Sequence, residues 1–186
     1  VGIMLGDGSI NKNIIKISLD SESDKNYIIY TSKLLKKLFG VKPTFYINKK
    51  ARVVDLIIHR RNLVDFCVSI GLVIGNKVKK NADIPNWIKE NDDLSIACVR
   101  GLIDTDGCFY KHRYNSNGKL YTYTKIAFTS KCSNIIKSVR EILIKQGICV
   151  RITKDGNDVR VENRKGVDRY LKIFNTHNIK FKDKII

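Results

Sequence analysis

The chain of 186 residues carries 35 Lys and Arg against 18 Asp and Glu, a formal net charge of +17, and is 43% hydrophobic. That balance excludes a disordered basic tail and calls for a folded protein with a polyanionic partner. No apolar run is long enough to span a bilayer and no secretory signal is recognisable, so an intracellular protein is expected, in a prokaryotic or archaeal cytoplasm or an organelle. Cys67, Cys98, Cys108, Cys132 and Cys149 are odd in number and lack Cys-x-x-Cys spacing. They read as reduced, mostly buried thiols, not as a disulfide framework or zinc site.

Residues 1–10 read Val-Gly-Ile-Met-Leu-Gly-Asp-Gly-Ser-Ile, with Gly2 and Gly6 four apart on a helix that ends in Asp-Gly. Residues 9–20 read as a hairpin turning at Asn11-Lys12-Asn13; its second strand alternates Lys16 and Ser18 against Ile15, Ile17 and Leu19, which turns Lys16 and Ser18 away from the core. Helix-start residues at 21–24 precede apolar positions at helical spacing over 27–39, stopped by Gly40. Residues 42–49 and 52–60 read as two more strands, and 62–70 as a short helix ending at Gly71. Residues 72–91 form a connector, with a solvated lysine-rich loop at 75–80 and a short helix opened by Pro85. Trp87 reads as a packing anchor.

Residues 99–109, Val-Arg-Gly-Leu-Ile-Asp-Thr-Asp-Gly-Cys-Phe, are a near-copy of the opening stretch at an offset of 106 − 7 = 99. The stop signals Gly40 and Gly147 differ by 147 − 40 = 107, eight more. The extra length is placed in a hairpin around Asn115-Ser116-Asn117-Gly118. On its second arm Tyr121, Tyr123 and Lys125 share one face, the candidate for groove contacts, and Thr122, Thr124, Ile126 and Phe128 share the other. A helix at 133–146, strands at 149–154 and 159–163 and a helix at 167–174 close the second unit.

The repeat gives the two Asp-Gly ends a meaning that one copy would not have. Small residues four apart (Gly2 and Gly6; Ala97, Gly101 and Thr105) make ridges on which two helices can pack with their backbones close. Packed in parallel, they bring Asp7 and Asp106 side by side at the same end, with Gly8 and Gly107 expected as left-handed caps. Two carboxylates held at helix C-termini repel one another unless a cation lies between them. Hard oxygen donors favour Mg²⁺ over zinc or copper.

These stretches, Gly101-Leu102-Ile103-Asp104-Thr105-Asp106-Gly107 and the looser Gly2-Ile3-Met4-Leu5-Gly6-Asp7-Gly8, resemble the motifs of the LAGLIDADG homing endonuclease family in its single-chain, two-motif form. The resemblance covers nearly the whole chain. It implies an α+β fold of two pseudo-symmetric αββαββα repeats, at residues 1–75 and 94–186 with a connector at 76–93, whose antiparallel sheets form a saddle on DNA. Val1 lies inside the first motif, so the usual opening turns of that helix are absent from this sequence. The family implies that Asp7 and Asp106 are the catalytic, metal-binding residues, with the carbonyls of Gly6 and Thr105 as further ligands. It also implies Mg²⁺ dependence, with Mn²⁺ substituting and Ca²⁺ supporting binding alone, and a monomer cutting both strands of a long site to leave 3′ overhangs. Asp104 is matched by Leu5 and is not expected to be a symmetric ligand.

Basic and aromatic residues on strands are the candidates for DNA contact: Lys16, Ser18, Lys42, Lys111, Arg113, Tyr121, Tyr123, Lys125, Arg151 and Arg160. Arg60, Arg61, Arg164 and Lys165, before each unit's last helix, match by position the family's groups near the scissile phosphate. His59, His112 and His177 are too scattered for a histidine–metal nuclease. The alternatives are an intron RNA maturase of the same fold and a nucleic-acid-binding protein that does not cut. An intein end at His177-Asn178 is discounted because Ile179 is not Cys, Ser or Thr, which leaves a nuclease domain from within a larger intein as a further origin.

Overall fold

A computed structural model describes residues 1–185 of the chain. The first half contains α1 (Gly2–Leu5), β1 (Gly8–Ile10), β2 (Ile14–Asp20), α2 (Lys25–Phe39), β3 (Thr44–Asn48), β4 (Val53–His59) and α3 (Arg61–Ser69). A connector with one short helix, α4 (Asn86–Lys89), leads to α5 (Asp92–Asp106). Then follow β5 (Gly107–Ser116), β6 (Lys119–Thr129), α6 (Ser133–Lys145), β7 (Arg151–Ile152), β8 (Asp158–Val161) and α7 (Arg164–Ile173). A 3₁₀ turn, Ile179–Phe181, and α8 (Lys182–Ile185) end the described chain. The halves build antiparallel sheets of one topology, β1-β2-β4-β3 and β5-β6-β8-β7, so the internal repeat of the sequence is a repeat of architecture.

Strand alternation builds the core. Ile15, Ile17 and Leu19 face Val54, Leu56 and Ile58 on the buried side of the first sheet, and Ile126 and Phe128 face Val159 and Val161 in the second. One apolar cluster runs through both halves, joined by Val99, Leu102 and Ile103 of α5. The turns expected at Gly40 and Asn117-Gly118 hold: Gly40 is left-handed at φ +66°, and Asn117 and Gly118 take φ +50° and +74°. Two positive φ values in a two-residue loop close the hairpin with the twist its strands need.

The lysine-rich loop at 75–80 is largely exposed, with Lys77 half-buried and Gly75 N–H bonded to the Ile10 carbonyl at 2.8 Å, and the connector beyond it packs through buried Ala82, Ile84 and Ile88. α5 begins at Asp92, where Asn91 caps it by accepting from Leu94 N–H at 3.0 Å. Trp87 is 46% exposed and hydrogen-bonds the Ile70 carbonyl, so Ile88 is the buried anchor of α4. Cys67, Cys98 and Cys132 are buried, while Cys108 and Cys149 are exposed, and all five are free.

Candidate active site

α1 and α5 lie against each other through their small residues. A Cβ built on Gly2 would collide with the Cys98 carbonyl, one on Gly101 would lie 3.0 Å from Ile3 N, and one on Gly6 would collide with Thr105 Oγ1. Contacts that advance together along both chains, Gly2 with Cys98 and Gly6 with Thr105, make the pair parallel. Any larger side chain at these glycines would force the backbones apart. Asp106 therefore ends α5 beside Gly6 and Asp7, which follow α1.

The glycines after the aspartates do another job than expected. Gly107 is extended (φ −88°, ψ 164°) and Gly8 begins β1, so neither is a left-handed cap. A Cβ on Gly8 would lie 2.5 Å from Met4 Cα, and one on Gly107 would lie 2.8 Å from Ile103 Cα. Each chain turns from motif helix to strand so tightly that only hydrogen fits there.

The electrostatics follow from this crowding. Burial, then the nearby Asp106 charge, pushes the Asp7 carboxyl up to about 7. Asp106 is exposed as a residue, yet loss of water around its carboxyl raises it too. Two ammonium groups oppose these shifts, Lys77 and Lys180. Lys77 Nζ donates to the Gly6 carbonyl, to Leu5 O at 2.8 Å and to Met4 O at 3.4 Å, closing the carbonyl end of α1. Lys180 Nζ pairs with Asp24 Oδ1 at 2.9 Å.

Asp104, by contrast, is buried and fully engaged. It accepts from Thr176 Oγ1 and from His177 N–H at 3.0 Å, while its backbone carbonyl accepts from Asn178 Nδ2 at 2.9 Å. Asn178 Nδ2 also donates to Asp24 Oδ1 at 2.7 Å, and the His177 ring stacks on Tyr30 at 4.6 Å. This tail ties the second half back onto the first and presents Lys180 to the aspartates.

No group of three or more His, Cys, Asp or Glu side chains that could hold a metal occurs among the described residues. A cation here would rest on Asp7, Asp106 and backbone carbonyls. That oxygen-only set fits a hard divalent ion, and the mutual repulsion of the carboxylates favours one. Of the two expected carbonyl ligands, that of Gly6 already accepts from Lys77, so an ion there would compete with the ammonium. The Thr105 side chain is turned into its own helix, donating to Gly101 O at 3.0 Å and Leu102 O at 2.9 Å.

The other anticipated residues are dispersed. The cations acting on the aspartates are Lys77 and Lys180, not Arg60, Arg61, Arg164 or Lys165. Arg60 stands at the N-terminus of α3, Arg61 bonds Asp65 at 2.9 Å, and Arg164 and Lys165 open α7. The spacing of the two lysines near the aspartates repeats between the halves. Lys77 lies 77 − 69 = 8 residues after α3, and Lys180 lies 180 − 173 = 7 after α7.

Lys16 and Ser18 do turn outward, both held by Asp55, at 3.6 and 2.6 Å. On the second sheet Tyr121, Tyr123 and Lys125 share the outer face with Arg160 and Arg151. Lys42 is on no strand, because Pro43 delays β3 to Thr44. Lys111 and Arg113 pair with Thr124 and Thr122 on the face of buried Phe109 and Ile126, opposite the tyrosines. Lys111 lines a cleft with Arg164 and Val167 of α7.

A family model described as a LAGLIDADG-like domain matches residues 1–71 and 93–185. No curated protein sequence matches the chain. Among solved structures, the LAGLIDADG homing endonuclease I-LtrWI bound to target DNA is 15% identical, with 98% of this chain and 84% of that one covered and a TM-score of 0.64. I-SmaMI bound to uncleaved DNA in the presence of calcium ions is 14% identical, with coverages of 98% and 85% and a TM-score of 0.63. Full-length DUF199/WhiA from Thermatoga maritima is 14% identical, with coverages of 97% and 55% and a TM-score of 0.59. At these identities the likeness is one of fold. No helix among the described residues is long and apolar enough to cross a membrane.

Proposed function

The chain belongs to the LAGLIDADG-like domain family, and from that premise we propose that it is a monomeric, intron-encoded homing endonuclease that cuts both strands of a long DNA site and leaves 3′ overhangs. One observation carries the reading. Asp7 and Asp106 meet at the ends of two close-packed parallel helices, with Lys77 and Lys180 beside them. A contact that served folding alone would gain nothing from two carboxylates that raise each other's energy.

The two carboxylates would hold Mg²⁺, with Mn²⁺ able to replace it and Ca²⁺ supporting binding without cutting. A bound divalent ion supplies neutralising charge at the phosphoryl oxygens and an activated water. The protein's own part is positional. The Gly2, Gly6 and Gly101 contacts fix the distance between the aspartates, one serving each strand. Lys180, anchored by Asp24, adds positive charge where a scissile phosphate would lie. Lys77 holds the carbonyl end of α1 and offsets the aspartates' repulsion. The net charge of +17 favours the DNA backbone at large and makes binding salt-dependent.

The test is a pool of randomised duplexes selected in Ca²⁺ and then moved to Mg²⁺. Wild-type protein is expected to cut both strands, and Asp7→Asn and Asp106→Asn to bind without cutting. Full double-strand cutting by either variant overturns the site. Specific binding with no cutting by the wild type leaves a DNA-binding protein of the same fold. Retention of structured intron RNA with no duplex selected leaves a maturase.

A further inference from the structure

The two halves share a topology but not a surface. β5 has ten residues where β1 has three, and β8 pairs with β6 only from Ile126 to Thr129. The six outermost β5–β6 pairs, Lys111↔Thr124 to Ser116↔Lys119, therefore form a ribbon flanked by no third strand, about 20 Å long at the usual rise per residue, with Thr124 Oγ1 at its base donating to the Lys184 carbonyl at 2.6 Å. A ribbon of this kind fits the major groove.

Its outer face is aromatic. Tyr114 lies opposite Tyr121 with ring centroids 5.2 Å apart and nearly parallel, and His112 lies opposite Tyr123 at 5.3 Å, edge to face. Tyr123 also meets Tyr114 edge to face at 5.9 Å. Tyr114 and Tyr121 are nonetheless 43% and 45% exposed. Three of the cations sharing this face are engaged, while Lys119, also on it, stands at the hairpin tip opposite Ser116. Lys125 and Arg151 both pair with Glu162, at 3.3 and 2.7 Å, and Arg160 pairs with Asp158 at 2.7 Å.

These observations bear on what the face can read. Recognition of guanine draws on an Arg or Lys donor, and beside the tyrosines Lys125, Arg151 and Arg160 are already matched to carboxylates, which leaves Lys119 at the hairpin tip. The apolar feature of the major groove is the thymine C5-methyl group, which rings can cover. Rings stacked on one another have no open slot for an unpaired base, so the face suits a duplex better than a looped-out single strand.

We propose that the β5–β6 ribbon is the element that selects an A·T-rich half-site, with Tyr114, Tyr121 and Tyr123 covering thymine methyl groups in the major groove. The inference rests on the endonuclease reading, being the specificity of that site's second half. The first half offers no such cluster of rings: on its outer face a single exposed tyrosine, Tyr46, stands beside Asp55 with Lys16 and Ser18.

The test uses a duplex selected in Ca²⁺, in which each thymidine is replaced in turn by deoxyuridine, removing one methyl, or by photoreactive 5-iododeoxyuridine. At the ribbon's half-site each lost methyl is expected to weaken binding about fourfold, the equivalent of one buried methylene. Irradiation of the iodinated duplex is expected to attach that half-site to Tyr114, Tyr121 or Tyr123. In Tyr121→Ala/Tyr123→Ala, both on the exposed hairpin, the deoxyuridine penalty should vanish while DNA is still bound. Tyr121→Phe, which keeps the ring, should preserve the penalty and guards against a folding defect. A duplex bound with no deoxyuridine penalty, a penalty the alanine variant retains, or attachment only outside the ribbon overturns the inference and leaves the endonuclease reading intact. Failure to select any duplex overturns the endonuclease reading itself.

Discussion

Asp7 carries a measurable cost to folding. The substitution Asp7→Asn keeps the side chain's shape and removes its charge. Burial and Asp106 lift the carboxyl from its ordinary 3.8 to about 7. At about 1.4 kcal/mol per pH unit that difference sets a ceiling of about 4 kcal/mol, and partial solvent exposure brings the expectation down to about 2 kcal/mol. The sign is that of a carboxylate raised on folding. Below about pH 4 the group is protonated in both states and the cost is absent. Between about pH 4 and 7 the folded protein keeps a proton that the unfolded chain has released, so stability falls as pH rises. Above about pH 7 the cost is complete. Urea unfolding in the presence of a chelator should find Asp7→Asn more stable than wild type by about 2 kcal/mol at about pH 8, and indistinguishable from it at about pH 4. Mg²⁺ should close the gap at high pH by stabilising the wild type alone. A difference that is the same at both pH values, or a less stable variant at high pH, would refute the placement of the two carboxylates.

Three further outcomes follow from the same geometry. Gly101→Ala sets a Cβ 3.0 Å from Ile3 N and 3.3 Å from Gly2 Cα; it should cost about 1–3 kcal/mol in urea unfolding and lower cleavage more than binding, since it spreads the aspartates. Asn178→Ala removes the buried amide that joins Asp24 to the Asp104 carbonyl, and thermal unfolding should report a loss of about 2–3 kcal/mol. Lys77→Met keeps the stem but removes a charge that lowers Asp106 and Asp7. Both carboxyls should then titrate higher, and a cleavage pH–rate profile should shift its acidic limb upward; an unmoved limb would separate Lys77 from the site.

What the sequence discloses and what it hides have physical causes. Local periodicity is a short-range property, so the strands of both sheets, the stop at Gly40 and the turn at Asn117-Gly118 could be read directly. The aspartate pair could be read because it occurs twice, on helices whose glycines admit a neighbouring backbone. Gly8 and Gly107 were legible as glycines but not in their reason: Asp-Gly is a turn signal, whereas here the constraint is the distance to Met4 and Ile103 one turn back. The two faces of the β5–β6 ribbon depend on register. Once Tyr114 is opposite Tyr121, Lys111 and Arg113 must fall on the side of Phe109, away from the tyrosines.

Lys77 and Lys180 mark where local reading ends. Neither has a neighbour in sequence that distinguishes it from the other 33 basic residues, 35 − 2. Each acquires its role because the chain, leaving the last helix of its unit, must pass the carbonyl end of a motif helix to continue. An ammonium at that crossing meets the partial negative charge of the helix end together with two carboxylates. Both halves make the same crossing, so the twofold that sets the aspartates side by side also supplies a lysine from each side. The pairs differ in how they are secured. Lys77 is held by backbone carbonyls of the helix it caps. Lys180 is held by the side chain of Asp24, which Asn178 also grips. Breaking the Asp24 contact should therefore release Lys180 alone, and the two halves of the site need not respond alike to the loss of their lysines.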